Sequence, residues 1–418
     1  MISGWRAGGS ALVRRAAFLI TLCLSLFAQA QTVTIFDVSL APYGVCSGCD
    51  ATANRNGLQA AINAAAAGDV IYIPNGTYEF KQSPSAWSIL ISKSLTIRGQ
   101  SREATIVAMT AEDAADDAIA GNAHALFYVN AANDVTFEYL DMDGNKAGKG
   151  ASTEYVEAVE HHRGIFVDGT DDVTIRYTTI HDFTGDAVQL YNGVEDTHIH
   201  HFTARHNQRD GVTFSPSSAL TPVQRVSLHD CLLTGSSNQQ IDNEHGPAHD
   251  IEVYNCTIFA PEMVRSSGIA IAGAGTDITA PSLRWNIHNN DITGQVLFVW
   301  TSDSVIRDNI INNPRRLSAV SMERAVSNTL IENNVITQTS TAVANLAGVM
   351  MAGTAGSGAT NVTVRGNQIT TTFSQAFGVR IDGAVSATVE NNVITGSGTV
   401  ATGFHGVRVR STVEARPV

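Results

Sequence analysis

Basic residues, cysteine and proline are all scarce in this 418-residue sequence: it has 26 Lys and Arg against 39 Asp and Glu, 5 Cys and 10 Pro. The formal net charge is −13. That shortage of positive charge argues against nucleic acid as a partner, because such binding draws its affinity from neutralised phosphates. Past Phe27, no apolar run approaches the about 20 residues that a membrane-spanning helix requires, so no membrane span is expected. Five cysteines are too few for a disulfide-dense scaffold. Gly at 35, plentiful Asn, Thr and Val, and few Lys suit many short strands joined by turns, not long helices.

The first thirty residues have the layout of an export signal. Arg6, Arg14 and Arg15 are the positive region, Ala16 to Phe27 the apolar run, and Ala28-Gln29-Ala30 the small-residue cleavage site. The product is then secreted or periplasmic and begins near Gln31. It keeps 26 − 3 = 23 basic residues against 39 acidic ones, a formal charge of −16. Cys46, Cys49, Cys231 and Cys256 remain, an even number that permits two disulfides. Cys46-Ser47-Gly48-Cys49 has no second Cys or His pair at ligand spacing, so it is expected to staple a loop and not to hold zinc.

The chain also matches itself. Asp172-Val173-Thr174-Ile175 leading to Gly185-Asp186-Ala187-Val188 is repeated, 24 residues on, by Asp196-Thr197-His198-Ile199 leading to Arg209-Asp210-Gly211-Val212. Extending the unit gives a column of apolar residues, each opening a short alternating strand: Phe127, Ile165, Val188, Val212, Ile241, Ile269, Leu297, Val320, Val349, Val379 and Val407. The uneven steps between them suit coils whose loops vary while their strands stay in register. Second and third apolar positions follow in each unit, as at Val226/Leu228 and Leu233, so three strands per coil and about ten coils are expected, stacked into three parallel sheets. Between the second and third strands runs Asn290, Asn309, Asn334, Asn367 and Asn392. Their amides can tolerate left-handed turns and bond along the axis. Cys231 and Cys256 fill that column earlier and are expected to be neighbours. The amphipathic stretch Leu58 to Ala67 is the candidate cap over the open end of the core. The layout is therefore residues 1–30 as signal, 31–125 as cap and first strands, and 126–418 as repeats.

The helix leading into Gly68-Asp69-Val70-Ile71-Tyr72-Ile73-Pro74-Asn75-Gly76-Thr77-Tyr78, with the repeated Gly-Ile/Val-x-Val and Asn-Asn-x-Ile coils, resembles the pectate-lyase-like right-handed parallel β-helix superfamily from about Thr52 to Arg410. The resemblance implies an all-β right-handed parallel β-helix, with ligands in the groove over the first sheet. It does not select a reaction, since the superfamily includes polysaccharide lyases, polygalacturonase-like hydrolases, epimerases and adhesive proteins. Asp242-Asn243-Glu244-His245 departs from the epimerase Asp-Pro-His-Glu run, and the paired aspartates of polygalacturonases are not matched on the groove.

If the apolar column faces the core, the residues just before it and those one and three after it face the groove. They are Arg163 and Asp168; Asp186, Gln189 and Tyr191; Asp210, Thr213 and Ser215; and Gln239, Asp242 and Glu244. Asp186, Asp210, Asp242 and Glu244 could converge on Ca²⁺, which favours oxygen ligands. Asp210, Asp242, His245, Tyr191 and Arg163 are candidate catalytic groups: His245 or Tyr191 as base, Arg163 or a cation to stabilise an enolate-like charge. Gln189, Gln239, Trp300 (paired with Phe298 to stack on a sugar) and Lys146, in a long insertion overhanging the groove, are candidate substrate contacts. His198, His200 and His201 are expected to be exposed strand and turn positions. The expectation is a monomeric enzyme on an acidic polysaccharide, foremost a lyase cleaving next to a uronate by β-elimination. A glycoside hydrolase using the same aspartates, a uronate C5-epimerase and a non-catalytic glycan-binding solenoid are the alternatives.

Overall fold

A computed structural model describes residues 32–82, 87–111, 124–146, 162–218, 220–244, 246–260, 267–271, 280–314, 317–339, 346–353, 358–372, 376–383, 386–396 and 405–410. The expected export signal, His245 and most of the insertion after Lys146 lie outside them. Residues 35–418 form one compact unit with a continuous apolar core from Val38 to Ile381. Among the described residues every strand pairing is parallel, and each coil adds one rung to a twelve-stranded sheet and further strands to a twenty-five-stranded one.

The twelve-stranded sheet is built on the apolar column. Phe127, Ile165, Val188, Val212, Ile241 and Ile269 are in register and fully buried. Ile89 precedes Phe127 in the same register, a rung that the self-comparison did not reach. One member of the expected column is wrong: Ile269 pairs with Val296, which continues to Val320, while Leu297 pairs with Ala270 on the outer face. A one-residue slip exchanges inner and outer faces. Phe298 is therefore a fully buried core residue, not half of a sugar-stacking pair.

The residue directly before each column member also points inward, because the chain turns a corner there. A side-chain carbon at Gly164 would lie 2.4 Å from Cγ2 of Ile180, and one at Gly348 would lie 2.3 Å from Cγ2 of Ile369. At these two glycines the apolar side chain of the following strand fills that space, so only a very small residue fits there, whereas the same position of other coils holds buried Gln240 and Gln295. The outward position is consequently two before the column, where Arg163, Asp186, Asp210 and Gln239 stand.

The second and third strands of a coil share one hydrogen-bonded sheet, so the expected three sheets are two. Val173–His181 and Glu195–Arg205 each run through the bend unbroken. The left-handed residue at this bend is the one before the amide column: Asn289, Asp308, Asn333 and Asn391 have φ of 54–57°. This frees the column amides for axial bonding. The Nδ2 of Asn334 donates to Asn367 Oδ1 (3.0 Å), Ile306 O (2.9 Å) and Glu332 O (3.0 Å), and its Oδ1 accepts from Asn309 N (3.0 Å). Cys231 and Cys256 are bonded across adjacent coils with Cα atoms 4.5 Å apart, and Cys46 is bonded to Cys49.

The capping helix spans Ala51–Ala64, earlier than the apolar pattern suggests, because Asp50 accepts from Ala53 N (2.8 Å) and supplies the N-cap. Leu58, Ala61 and Ile62 close the core. Among the described residues no helix is long and apolar enough to cross a membrane.

Candidate functional site

Three successive coils deliver acids to one place on the outer face of the twelve-stranded sheet. The backbone ladder runs from Gly164 N to Asp186 O (3.0 Å), Ala187 N to Asp210 O (3.0 Å) and Gly211 N to Gln239 O (3.2 Å). Asp186, Asp210 and Gln239 are therefore stacked neighbours, one strand spacing of about 4.8 Å apart. Asp242 follows on the third of these coils opposite Thr213, and Glu244 lies just beyond it.

At their centre lies a cation supplied by the chain itself. Arg209 donates from Nη1 to Asp186 Oδ2 (2.8 Å) and from Nη2 to Glu244 Oε1, and its Nε lies 3.6 Å from Asp210 Oδ2. The sequence reading missed Arg209. Its signal was its place beside Asp210, at the start of a rung already assigned to the groove. Arg163 approaches the same cluster, with Nε 3.5 Å from Asp186 Oδ2. The acids thus surround a guanidinium and do not form the open oxygen shell expected for Ca²⁺, so these residues do not fit a resident calcium ion. Among the described residues, the grouping nearest to metal-ligand geometry is Asp143, His181 and Asp182 on the large sheet.

Depth separates the four acids. Asp186 and Asp210 are fully buried, Asp242 is 7 % exposed and the Glu244 side chain 20 % exposed. Asp210 is fixed by Gln239 N (2.7 Å to Oδ1) and Thr213 Oγ1 (3.3 Å to Oδ2), and Ser215 Oγ lies 3.3 Å from Glu244 Oε1. Burial, then the charge of Asp242, pushes the Asp210 carboxyl well above the usual range, with Arg209 opposing. Burial, then Glu244, does the same to Asp242. Burial works against the charge of Arg209, yet Asp186, Asp210 and Glu244 hold it firmly protonated. The Oδ1 of Asp186 and the Oε1 of Gln189 are buried acceptors with no hydrogen-bond partner, and such atoms call for an explanation.

The remaining candidates scatter. Tyr191 is half-buried between Asp168 and Ser215, on the rung beside the acids. Gln239 spends its Oε1 on Ser267 N (2.6 Å), a structural bond. Trp300 sits at a bend with φ of 54°, off the strand. Lys146 does not overhang the groove: it is buried, and its Nζ donates to His206 O (2.8 Å). His198 is exposed on its strand and His201 takes the left-handed turn, as expected, whereas His200 is half-buried with its ring stacked 5.1 Å from that of His229.

An aromatic strip leads up to the acids from the N-terminal side, where the sequence reading did not look. Trp87, Tyr128, Phe166 and Tyr191 lie in succession, with ring centroids 4.6, 5.3 and 5.6 Å apart. Tyr128 and Phe166 directly follow column members Phe127 and Ile165, so the face rule used for the acids would have found them. Tyr128 donates to Asp168 Oδ2 (2.9 Å).

Residues 94–258 and 267–414 match the family described as right handed beta helix region. The chain belongs to that family. Curated proteins provide no match. Among solved structures, this β-helix is similar to the A-module of the Azotobacter vinelandii mannuronan C-5 epimerase AlgE6, at 18 % identity and a TM-score of 0.66 over 92 % of this chain and all of that one. It is also similar to PfbA, a surface adhesin of Streptococcus pneumoniae (14 %, 0.60, 88 % and 91 %). A third likeness is to a family 28 exopolygalacturonase of Yersinia enterocolitica (13 %, 0.57, 92 % and 79 %). Identities this low establish the β-helix fold and leave the chemistry to the residues.

Proposed function

We propose that this protein is a carbohydrate-active enzyme that cleaves a polysaccharide lying along the outer face of the twelve-stranded sheet, with Asp242 as general acid and Glu244 as its ionised partner. The supporting observation is that two carboxyls on one strand face sit in opposite electrostatic settings. Asp242 is pushed towards its neutral form by burial and by Glu244, while Glu244 is ion-paired to Arg209. Such divergence assigns acid and base roles to paired carboxyls. Asp242 gives its proton to the glycosidic oxygen as the bond to the anomeric carbon breaks. Glu244 either takes a proton from the attacking water or attacks that carbon itself. The aromatic strip offers one ring per coil, close to the length of a pyranose unit. The enzymes among the structural neighbours include an exopolygalacturonase and a mannuronan C-5 epimerase.

β-Elimination next to a uronate is the second reading. Arg163, 5.5 Å above the Phe166 ring and beside Tyr191's rung, is the observation that favours it. Elimination requires a surplus positive centre for the enolate-like charge, whereas the charge of Arg209 is offset by three carboxylates, and hydrolysis therefore leads. Incubation of the purified chain with pectate, alginate and neutral glycans separates the two. Hydrolysis yields reducing ends alone, and elimination yields an ultraviolet-absorbing double bond. Chelation is expected to leave turnover unchanged. Asp242→Asn is expected to lower turnover about 100-fold or more with melting temperature maintained or raised, because a buried, charge-repelled acid has been replaced by a neutral isostere. Full turnover per folded molecule in that variant refutes the assignment.

A further inference from the structure

The large sheet carries a second polar feature, on a different sheet from the acids. In register on successive coils stand Tyr72, Arg98, Glu138, Arg176 and His200. Arg98 Nε donates to Oε1 of Glu138, and Arg176 donates to Oε2 from Nε (2.8 Å) and Nη2 (2.6 Å). Glu138 is almost wholly buried, whereas each arginine side chain is 40 % exposed. One carboxylate is thus shared by two guanidinium groups. One positive charge is left over in a chain that is otherwise strongly acidic, and both Nη groups of Arg98 and Nη1 of Arg176 have no partner among the described residues. Around them opens a concavity of about 390 Å³ walled by Tyr72 and Tyr139, a size in the range of small-ligand sites.

Tyr139 has φ of 57°, and Tyr177 on the next coil φ of 50°, at the bend position that later coils give to Asn289, Asn333 and Asn391. A bulky residue held there pays a local cost that Asn avoids. In return the Tyr139 ring, stacked 5.2 Å from Tyr177, stands at the mouth of the concavity, 38 % exposed. Gly99 lets the wall close up, since a side-chain carbon there would lie 2.0 Å from Tyr139 O.

We propose that this concavity is a non-catalytic binding site for an acidic saccharide, with its oxyanion on the forked Nη edges of Arg98 and Arg176 and its sugar ring against Tyr72 and Tyr139. Guanidinium forks match carboxylate and sulfate oxygens in pairs. The site is independent of the reaction proposed for the other sheet, and binding measured directly tests it without any assay of turnover.

Calorimetric titration of the full chain with galacturonate, acetate, sulfate and glucose provides the test. Galacturonate is expected to bind about ten-fold or more tighter than acetate, because it adds ring contact with the tyrosines and hydroxyl hydrogen bonds to the same carboxylate, and glucose not at all. Removing both arginines alone would strand buried Glu138, so the informative variant is R98Q/E138Q/R176Q, which removes all three charges together. It is expected to keep its melting temperature and to lose galacturonate binding about ten-fold or more. Glu138→Gln alone is expected to tighten it. Absence of oxyanion binding, galacturonate no tighter than acetate, sulfate bound with galacturonate excluded, or binding that survives in the triple variant would each overturn the proposal.

Discussion

Replacing Arg209 by Gln would remove the cation that, among the described residues, reaches Asp186, Asp210 and Glu244 together, and would leave Arg163, 3.5 Å from Asp186, as the nearest remaining one. Its side chain is 6 % exposed and that of Asp186 is fully buried, so solvent screens this pair little, while the Glu244 arm is more open and contributes less. Breaking a buried pair by removing one partner costs about 3–5 kcal/mol, because an uncompensated charge stays behind. At about 2–4 °C per kcal/mol for chains of 150–250 residues, and less for longer ones, this is a fall of on the order of 5–10 °C in melting temperature. Solenoids can melt in parts, so hydrogen exchange at Val188–Tyr191 and Val212–Ser215 is the sharper assay, and those strands should lose protection first. The sign with pH is fixed as well. Arg209 opposes the upward push on the Asp210 carboxyl, so without the guanidinium Asp210 is pushed further above its ordinary value, and the deficit shrinks as pH falls and the carboxyl takes up its proton. A variant that melts within a degree of the parent at pH 7, or whose deficit does not shrink on acidification, would refute the compensation argument.

Three further outcomes are expected. If substrate lies along the strip as proposed, Tyr128→Ala and Phe166→Ala should raise KM several-fold with kcat nearly unchanged; steady-state kinetics would expose a reversed pattern. Burial alone would lower the pKa of His181, but hydrogen bonds to Asp141 and Asp182, with Asp143 nearby, carry it up to about 9. Its stabilisation is therefore complete below about 6.5 and lost as pH rises through about 9; His181→Gln should flatten melting temperature across that window, and an unchanged slope would contradict it. Asn334→Leu should lower stability by about 2 kcal/mol or more, because it strands the backbone groups its amide serves; denaturant midpoints measure this.

The repeat, the inward column, the amide ladder and the Cys231–Cys256 contact could all be read from the linear sequence, because each follows from a local period imposed again on every coil. Parallel stacking turns such a period into neighbours without further information. Acids at Asp186, Asp210, Asp242 and Glu244 could be placed together for the same reason. What tertiary structure alone decided was everything that depends on reach and corner geometry. Whether Ile269 is followed by Val296 or Leu297 turns on where one bend falls, and a single residue moved Phe298 from groove to core. The Arg209 side chain reaches Asp186 on the coil before and Glu244 on the coil after, and no period reports how far a flexible guanidinium extends. Lys146 folds back onto the His206 carbonyl across sixty residues, a contact that neither residue's neighbours announce. Sequence thus settled which residues share a face of the sheet on the coils from Phe127 to Ile269, and the packed coils settled the register beyond them, how deep each residue lies and which charge it meets there.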